Sequence, residues 1–215
     1  MMTSPRGGPP LPVPALAFAG LTVAGAFLGG SGPRPSSTAA EVLAYASTHG
    51  TLMSLGAALL LGSAFPLVVY AATALHRIGG GAPGPLMGFG GAVLAAGGLV
   101  LSALAAWAAA QTAGLGDAEL ARLLATLWFG AGSVGFTAPL GLLLLGLGVP
   151  VLVRGQAPAW LGWAAVVVGA IGLVTTFAPV TDLLYPLIPV ARFGGVLVLV
   201  GLAVTLRAEV REAVR

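Results

Sequence analysis

The chain is a series of apolar stretches, each near twenty residues, joined by short turns rich in glycine and proline. That pattern constrains the fold more than any other feature. A helix needs roughly 20 mostly apolar residues to cross the hydrocarbon of a bilayer. Six stretches approach or exceed that length: residues 14–30, 51–75, 86–110, 123–153, 160–178 and 183–206. None alternates with the two-residue period of a barrel strand, so each is expected to be a helix. The prediction is an all-α fold, a polytopic integral membrane bundle of six transmembrane helices over 14–206. A mobile cytoplasmic tail of 1–13, rich in proline and glycine, precedes it, and a basic cytoplasmic tail of 207–215 follows. The first stretch has an arginine ahead of it, as a signal peptide would. The "AFLGGSG" that ends it is a poor cleavage site, so it is read as a span.

Composition supports the same medium. The sequence is 58% hydrophobic and 7% charged, against about 25% charged in soluble domains, and its mean hydropathy is +1.03. Such a chain cannot cover itself with a water-compatible surface. There is no cysteine, which excludes disulfides, thiolate metal sites and cysteine nucleophiles. All nine basic residues are arginine, a bias that fits a GC-rich coding sequence. No basic patch with interleaved aromatics suggests nucleic acid.

Arginine placement predicts orientation. With the N-terminus inside, Arg6, Arg77, Arg154, Arg207, Arg211 and Arg215 fall on the cytoplasmic side, and Arg34, Arg122 and Arg192 on or near the other. That is the positive-inside bias, with both termini cytoplasmic in a bacterial inner membrane. Trp160 and Trp163 are then expected at the inner interface, Trp107 and Trp128 at the outer one.

The acids read first as helix caps. Glu41 follows Thr38 at capping-box spacing, Asp117 and Glu119 open the fourth span, and Asp182 follows Thr181 at the start of the sixth. His49 and His76 lie at opposite ends of one helix, about 40 Å apart, and cannot share a metal or haem.

Arg192 stands out because it lies within the sixth span, about 8 Å below the outer boundary. Two readings remain open. It snorkels to lipid headgroups, or it lines a polar pocket where Pro186 and Pro189 break the helix and leave carbonyls unpaired. The candidate pocket comprises Arg192, Asp182, Tyr185, Glu119, Asp117 and Gln111. Small-xxx-small faces at 25–29, 58–62, 91–95 and 165–169 are expected to pack helices closely.

The stretches "HGTLMSLGAALLLGSAFPLVVYAATALHRIG", "FTAPLGLLLLGLGVPVLVRGQAPAWLGW" and "LIPVARFGG" resemble an uncharacterised actinobacterial group of six-span membrane proteins, domain of unknown function four-three-eight-six. "PAWLGW" and "ARFGG" are the most specific parts. The resemblance implies a six-helix inner-membrane protein and assigns no reaction, catalytic residue or cofactor. Nor does the sequence offer a Ser-His-acid, paired-His or metal-ligand spacing. The expected function is a structural, regulatory or partner-binding membrane subunit, set in lipid beside a partner membrane protein or a second copy. The alternative is a small transporter or solute-binding protein with an outer-half pocket around Arg192.

Overall fold

The computed structural model describes residues 9–29, 32–79 and 83–206. Residues 1–8 of the N-terminal tail and the whole C-terminal tail lie outside them. The described chain folds into seven α-helices: α1 (Pro12–Leu28), α2 (Ala39–Arg77), α3 (Pro83–Gln111), α4 (Ala118–Gly132), α5 (Val134–Arg154), α6 (Ala159–Val174) and α7 (Leu187–Thr205), with single 3-10 turns at Thr112–Gly114, Thr175–Phe177 and Asp182–Leu184. Five helical segments are long and apolar enough to cross a membrane, with α4 and α5 counted as one; α1, at 17 residues, is shorter.

Helices adjacent in sequence are adjacent in space. The order α1, α2, α3, α5, α6, α7 runs around the bundle, and α7 closes it against α1 and α5. One end, the terminal face, carries the start of α1 and the end of α7. The other, the far face, carries the turns after α1, α3 and α6. Tyr70, Phe18, Phe136, Leu99, Leu140 and Leu147 are among the largest fully buried side chains between them. The Tyr70 hydroxyl donates to the Leu199 carbonyl at 3.0 Å, linking α2 to α7. Lipid gives apolar helices little reward for associating, so close backbone approach must hold them. Gly88 and Gly146 show how close. A Cβ on Gly146 would stand 2.5 Å from the Gly88 Cα, a distance no side chain tolerates, so α3 and α5 touch main chain to main chain.

The structure corrects several sequence expectations. The N-terminal tail ends sooner: Leu11 is fully buried, and Pro9 accepts a hydrogen bond at 3.1 Å from Arg77 Nη2. The second span is part of a 39-residue helix, about 58 Å long. Its extra turns begin at the capping box. Thr38 N donates to Glu41 Oε2 at 2.8 Å, and Glu41 N donates to Thr38 Oγ1 at 3.3 Å. Val42 then packs with Ala121 and Ala125 of α4, and Ala46 and Met53 pack with Ala109 and Ala110 of α3. These two small cores hold α2, α3 and α4 together beyond the main bundle.

The fourth span is interrupted. Ser133 leaves helical geometry at φ −90°, ψ −89°, between "GAG" and "VGF". Its amide and hydroxyl both donate to the Phe129 carbonyl, at 2.8 and 2.5 Å. Ser102 of α3 donates to the Trp128 carbonyl at 3.1 Å. Glycine and serine together are a known source of such kinks, and here the Trp128 and Phe129 carbonyls just before the break each accept from a hydroxyl.

The sixth span is not broken in the way expected. Pro186 is the residue before α7 and Pro189 lies in its first turn, where amides have no partner to lose. These prolines begin a helix and leave no carbonyls open inside one. Trp107, Trp160 and Trp163 are exposed, and Trp128 is partly buried, packed against the core beside Gly29 and Gly32 in the turn after α1.

Candidate functional site around Arg192

Arg192 lies five residues into α7, about 7.5 Å along its axis from Leu187. It shares a helical face with Ile188 and, a turn on, Gly195 and Val196, all buried. Its side chain turns inward. The guanidinium carbon stands 5.3 Å from the centroid of the Phe136 ring, within the range of a cation–π contact. Phe136 is fully buried at the start of α5, just past the interruption at Ser133. Its ring also meets Phe18 of α1, centroid to centroid at 6.4 Å. Phe136, three residues past the break, thus lies beside the arginine.

Arg192 Nε is enclosed and has no hydrogen-bond partner among the described residues. Two enclosed side-chain oxygens are also without a partner: Gln156 Oε1, in the turn after α5, and Thr22 Oγ1, one turn beyond Phe18 along α1. Thr22 is unusual in this bundle. Ser63, Thr73, Thr126 and Thr205 each return their hydroxyl to a carbonyl three or four residues earlier. Thr22 does not. Thr22 is six residues from the end of α1, about 9 Å, a depth below the far face similar to that of Arg192. A third polar pair spans α5 and the turn after α6, where Thr137 Oγ1 and Thr175 Oγ1 meet at 2.7 Å, both fully buried.

The other members of the expected pocket are not gathered around Arg192. Asp117 caps α4, accepting from the Leu120 amide at 3.0 Å, and Glu119 follows in the first turn. Both are exposed. Asp182 is exposed in its 3-10 turn, which Thr181 caps, its Oγ1 accepting from the Leu183 amide at 3.4 Å. It lines an open rim depression of about 490 Å³ with Thr181, Leu183 and Pro186. Tyr185 packs its ring on Phe129 at 5.6 Å. Gln111 Nε2 reaches only the Trp107 carbonyl, at 3.5 Å. Asp117 is thus a cap, Tyr185 and Gln111 make local contacts, and Glu119 and Asp182 are exposed. Sequence reading missed Phe136, Phe18 and Thr22. Phe136 had one legible signal, the glycine and serine run before it. Thr22 had none, because its neighbours are supplied by other helices.

Two further cations are committed to main chain at the terminal face. Arg154, at the end of α5, donates through Nη1 to the Ile78 carbonyl that closes α2. Arg77 holds Pro9, as above. His49 is exposed and stacks on Tyr45 at 4.4 Å, with Nδ1 near Thr48 Oγ1 at 2.8 Å.

No family model matches the chain, and no curated protein and no solved structure is similar to it.

Proposed function

We propose that this chain is a six-span membrane subunit, with both termini on the cytoplasmic side, that works by binding a partner helix. The observation that carries this reading lies on the outside of α3. Gly90 and Gly97 are both exposed, and a Cβ on either would meet nothing within 4 Å. Seven residues apart, they share one face with the exposed Leu94, Leu101 and Leu104. Lipid chains have no need of glycine. A second helix backbone does, because close approach is what gives van der Waals packing in a bilayer. The likeness of "PAWLGW" and "ARFGG" to the domain-of-unknown-function group belongs to the same proposal. The chain has no native cysteine, so Gly97→Cys offers a clean test. Oxidation in native membranes should give a disulfide dimer if the partner is a second copy. If the partner is another protein, Gly97→Leu should release a stoichiometric companion that the wild-type protein retains. A Gly97→Cys chain that stays monomeric, with a Gly97→Leu protein whose companions are unchanged, would remove the reading.

A second reading is a solute-binding or transport site at Arg192. It is favoured by Arg192 Nε, one of three enclosed side-chain polar atoms without a partner among the described residues, the others being Thr22 Oγ1 and Gln156 Oε1. Arg192 is enclosed, and among the described residues no acid is paired with it, so an anion from outside the chain would complete it. Anion binding that survives Arg192→Gln unchanged would exclude this reading.

A further inference from the structure

We infer that α4 and the exposed face of α3 together form the contact with a second copy of this chain, in a dimer whose two-fold axis stands along the membrane normal. The inference rests on the first reading above, that a partner helix covers the exposed glycines of α3, and names that partner.

The bundle is built in two tiers at the far face. Three helices stop near the level of the break at Ser133. α1 ends at Leu28, and a Cβ on Gly56 of α2 would stand 2.8 Å from the Gly29 amide nitrogen. α6 ends at Val174, where Thr175 meets Thr137 of α5. α7 begins at Leu187, a short way above the Arg192–Phe136 contact. The others go on. α2 continues from Gly56 to Ala39, about 25 Å, and α3 from Ser102 to Gln111, about 14 Å. α4 lies wholly beyond the break. Below that level α3 runs from Pro83 to Ser102, about 28 Å, which matches a hydrocarbon core of about 30 Å. The upper tier therefore stands in the headgroups and the water beyond them.

The two sides of that tier differ. α2 exposes Glu41, Ser47, Thr48, His49 and Thr51, as a helix in water should. α4 exposes Leu120, Leu123 and Leu127, three and four residues apart, the spacing of a helix-pairing seam. Leu123 is 67% exposed. Large apolar side chains lined up in water mark a contact surface. This seam continues the exposed face of α3. Ser102 Oγ donates to the Trp128 carbonyl at 3.1 Å, which brings Leu127 to the level of Leu101 and Leu104. Ala121 and Ala125 pack on Val42 of α2, whereas Leu124 packs on the cluster that holds Ala109 and Ala110 of α3. Leu120, Leu123 and Leu127 lie round from Leu124, away from Ala125, and so fall on the α3 edge of α4. Glu119, Arg122 and Thr126 take the opposite edge, toward α2.

Height and charge set the occupant. It must be apolar across the bilayer, and still apolar and helical past its edge. A lipid chain meets only the first condition. A partner with an ordinary span of roughly 20 residues ends at the boundary and leaves Leu120 and Leu123 in water. A second copy meets both conditions. A two-fold axis along the normal sets each level of one copy against the same level of the other, so α3 meets α3 within the bilayer and α4 meets α4 above it. Nothing repels across that axis. α3 has no charged residue from Pro83 to Gln111, and Glu119 and Arg122 stand outside the seam.

The test uses the full chain in native membranes, oxidised with copper phenanthroline and read on non-reducing gels. The variants are Gly97→Cys within the bilayer, Leu123→Cys in the upper tier, and Thr48→Cys on the polar side of α2. The first two should give disulfide dimers, and Thr48→Cys should stay monomeric. In detergent, the double variant Leu120→Glu with Leu123→Glu should weaken self-association at least about tenfold by sedimentation equilibrium, because acids then meet across the axis. Both positions are exposed, so helix content by circular dichroism should hold. A Gly97→Cys dimer beside a monomeric Leu123→Cys overturns the α4 contact and leaves the partner-helix reading in place. If both stay monomeric while Gly97→Leu still releases another protein, the second copy is overturned and that reading again stands. If both stay monomeric and no companion changes, both fail. Thr48→Cys crosslinking as fast as Leu123→Cys would reduce the dimer to chance collision and overturn the proposal. Should the glutamate variant not fold, the three cysteine variants decide the matter alone.

Discussion

Arg192 and Phe136, on helices α7 and α5, meet at 5.3 Å from guanidinium carbon to ring centroid, with the arginine turned into the bundle. An arginine this near a membrane boundary has two destinations. Snorkelling takes it outward along its own helix; a cation–π partner takes it inward. The ring lies three residues past the interruption at Ser133.

The Arg192–Phe136 contact should carry a measurable coupling. In a double-mutant cycle of Arg192→Gln and Phe136→Leu, read by thermal or denaturant unfolding in detergent, the interaction is expected at about 0.5–2 kcal/mol. Simple additivity of the two changes would show that the contact contributes nothing.

The Thr137–Thr175 hydroxyl pair ties α5 to the end of α6. Hydrogen bonds between membrane helices average about 0.6 kcal/mol and reach about 1.7. Thr137→Val with Thr175→Val should give a coupling in that range. Thr175 also donates to the Gly172 carbonyl at 2.6 Å, so its single change should be the more destabilising of the two. The opposite ranking would contradict the bond pattern described here.

Substitution of glycine should separate contact from open space. Gly146→Ala places a methyl 2.5 Å from the Gly88 Cα and 2.8 Å from the Gly84 carbonyl oxygen, and overpacking of this kind costs about 1–3 kcal/mol. Gly20→Ala, in α1 with nothing within 4 Å, should be neutral or stabilising by up to about 1 kcal/mol. Equal effects at the two sites would mean that α3 and α5 do not touch as described.

The long extension of α2 depends on its cap. Thr38→Ala removes the acceptor for the Glu41 amide, at an expected cost of about 0.5–2 kcal/mol. Because the cap is local, the loss should appear as faster amide exchange in the first turns of α2, around 39–46, with exchange near Leu67 and Tyr70 unaffected. Uniform loss of protection along α2 would argue against a locally capped extension.

What was legible in the sequence depended on local chemistry. The apolar stretches located the helices because hydropathy is additive along the chain. Caps were legible for the same reason: Thr38 with Glu41, and Asp117, satisfy amides within three residues of themselves. The Ser133 interruption was present as glycine and serine, yet those residues are common in continuous membrane helices. Only the hydroxyl of Ser102, delivered by α3, distinguishes this stretch. Pro186 and Pro189 misled in the opposite direction, because a proline breaks a helix or begins one according to where the preceding turn ends.

The amino-acid sequence alone determined that this chain is helical and apolar enough for a membrane, and roughly where each helix lies, since those properties follow from side chains summed over twenty neighbours. Tertiary structure decided the surroundings of Arg192. It withheld the acids that the linear order had placed nearby and supplied Phe136 from α5, with Phe18 and Thr22 of α1 beyond it. Which groups surround a cation depends on how helices far apart in the chain pack and rotate against one another. That is fixed by glycine-to-backbone contacts between helices, and no single stretch of sequence contains both sides of such a contact.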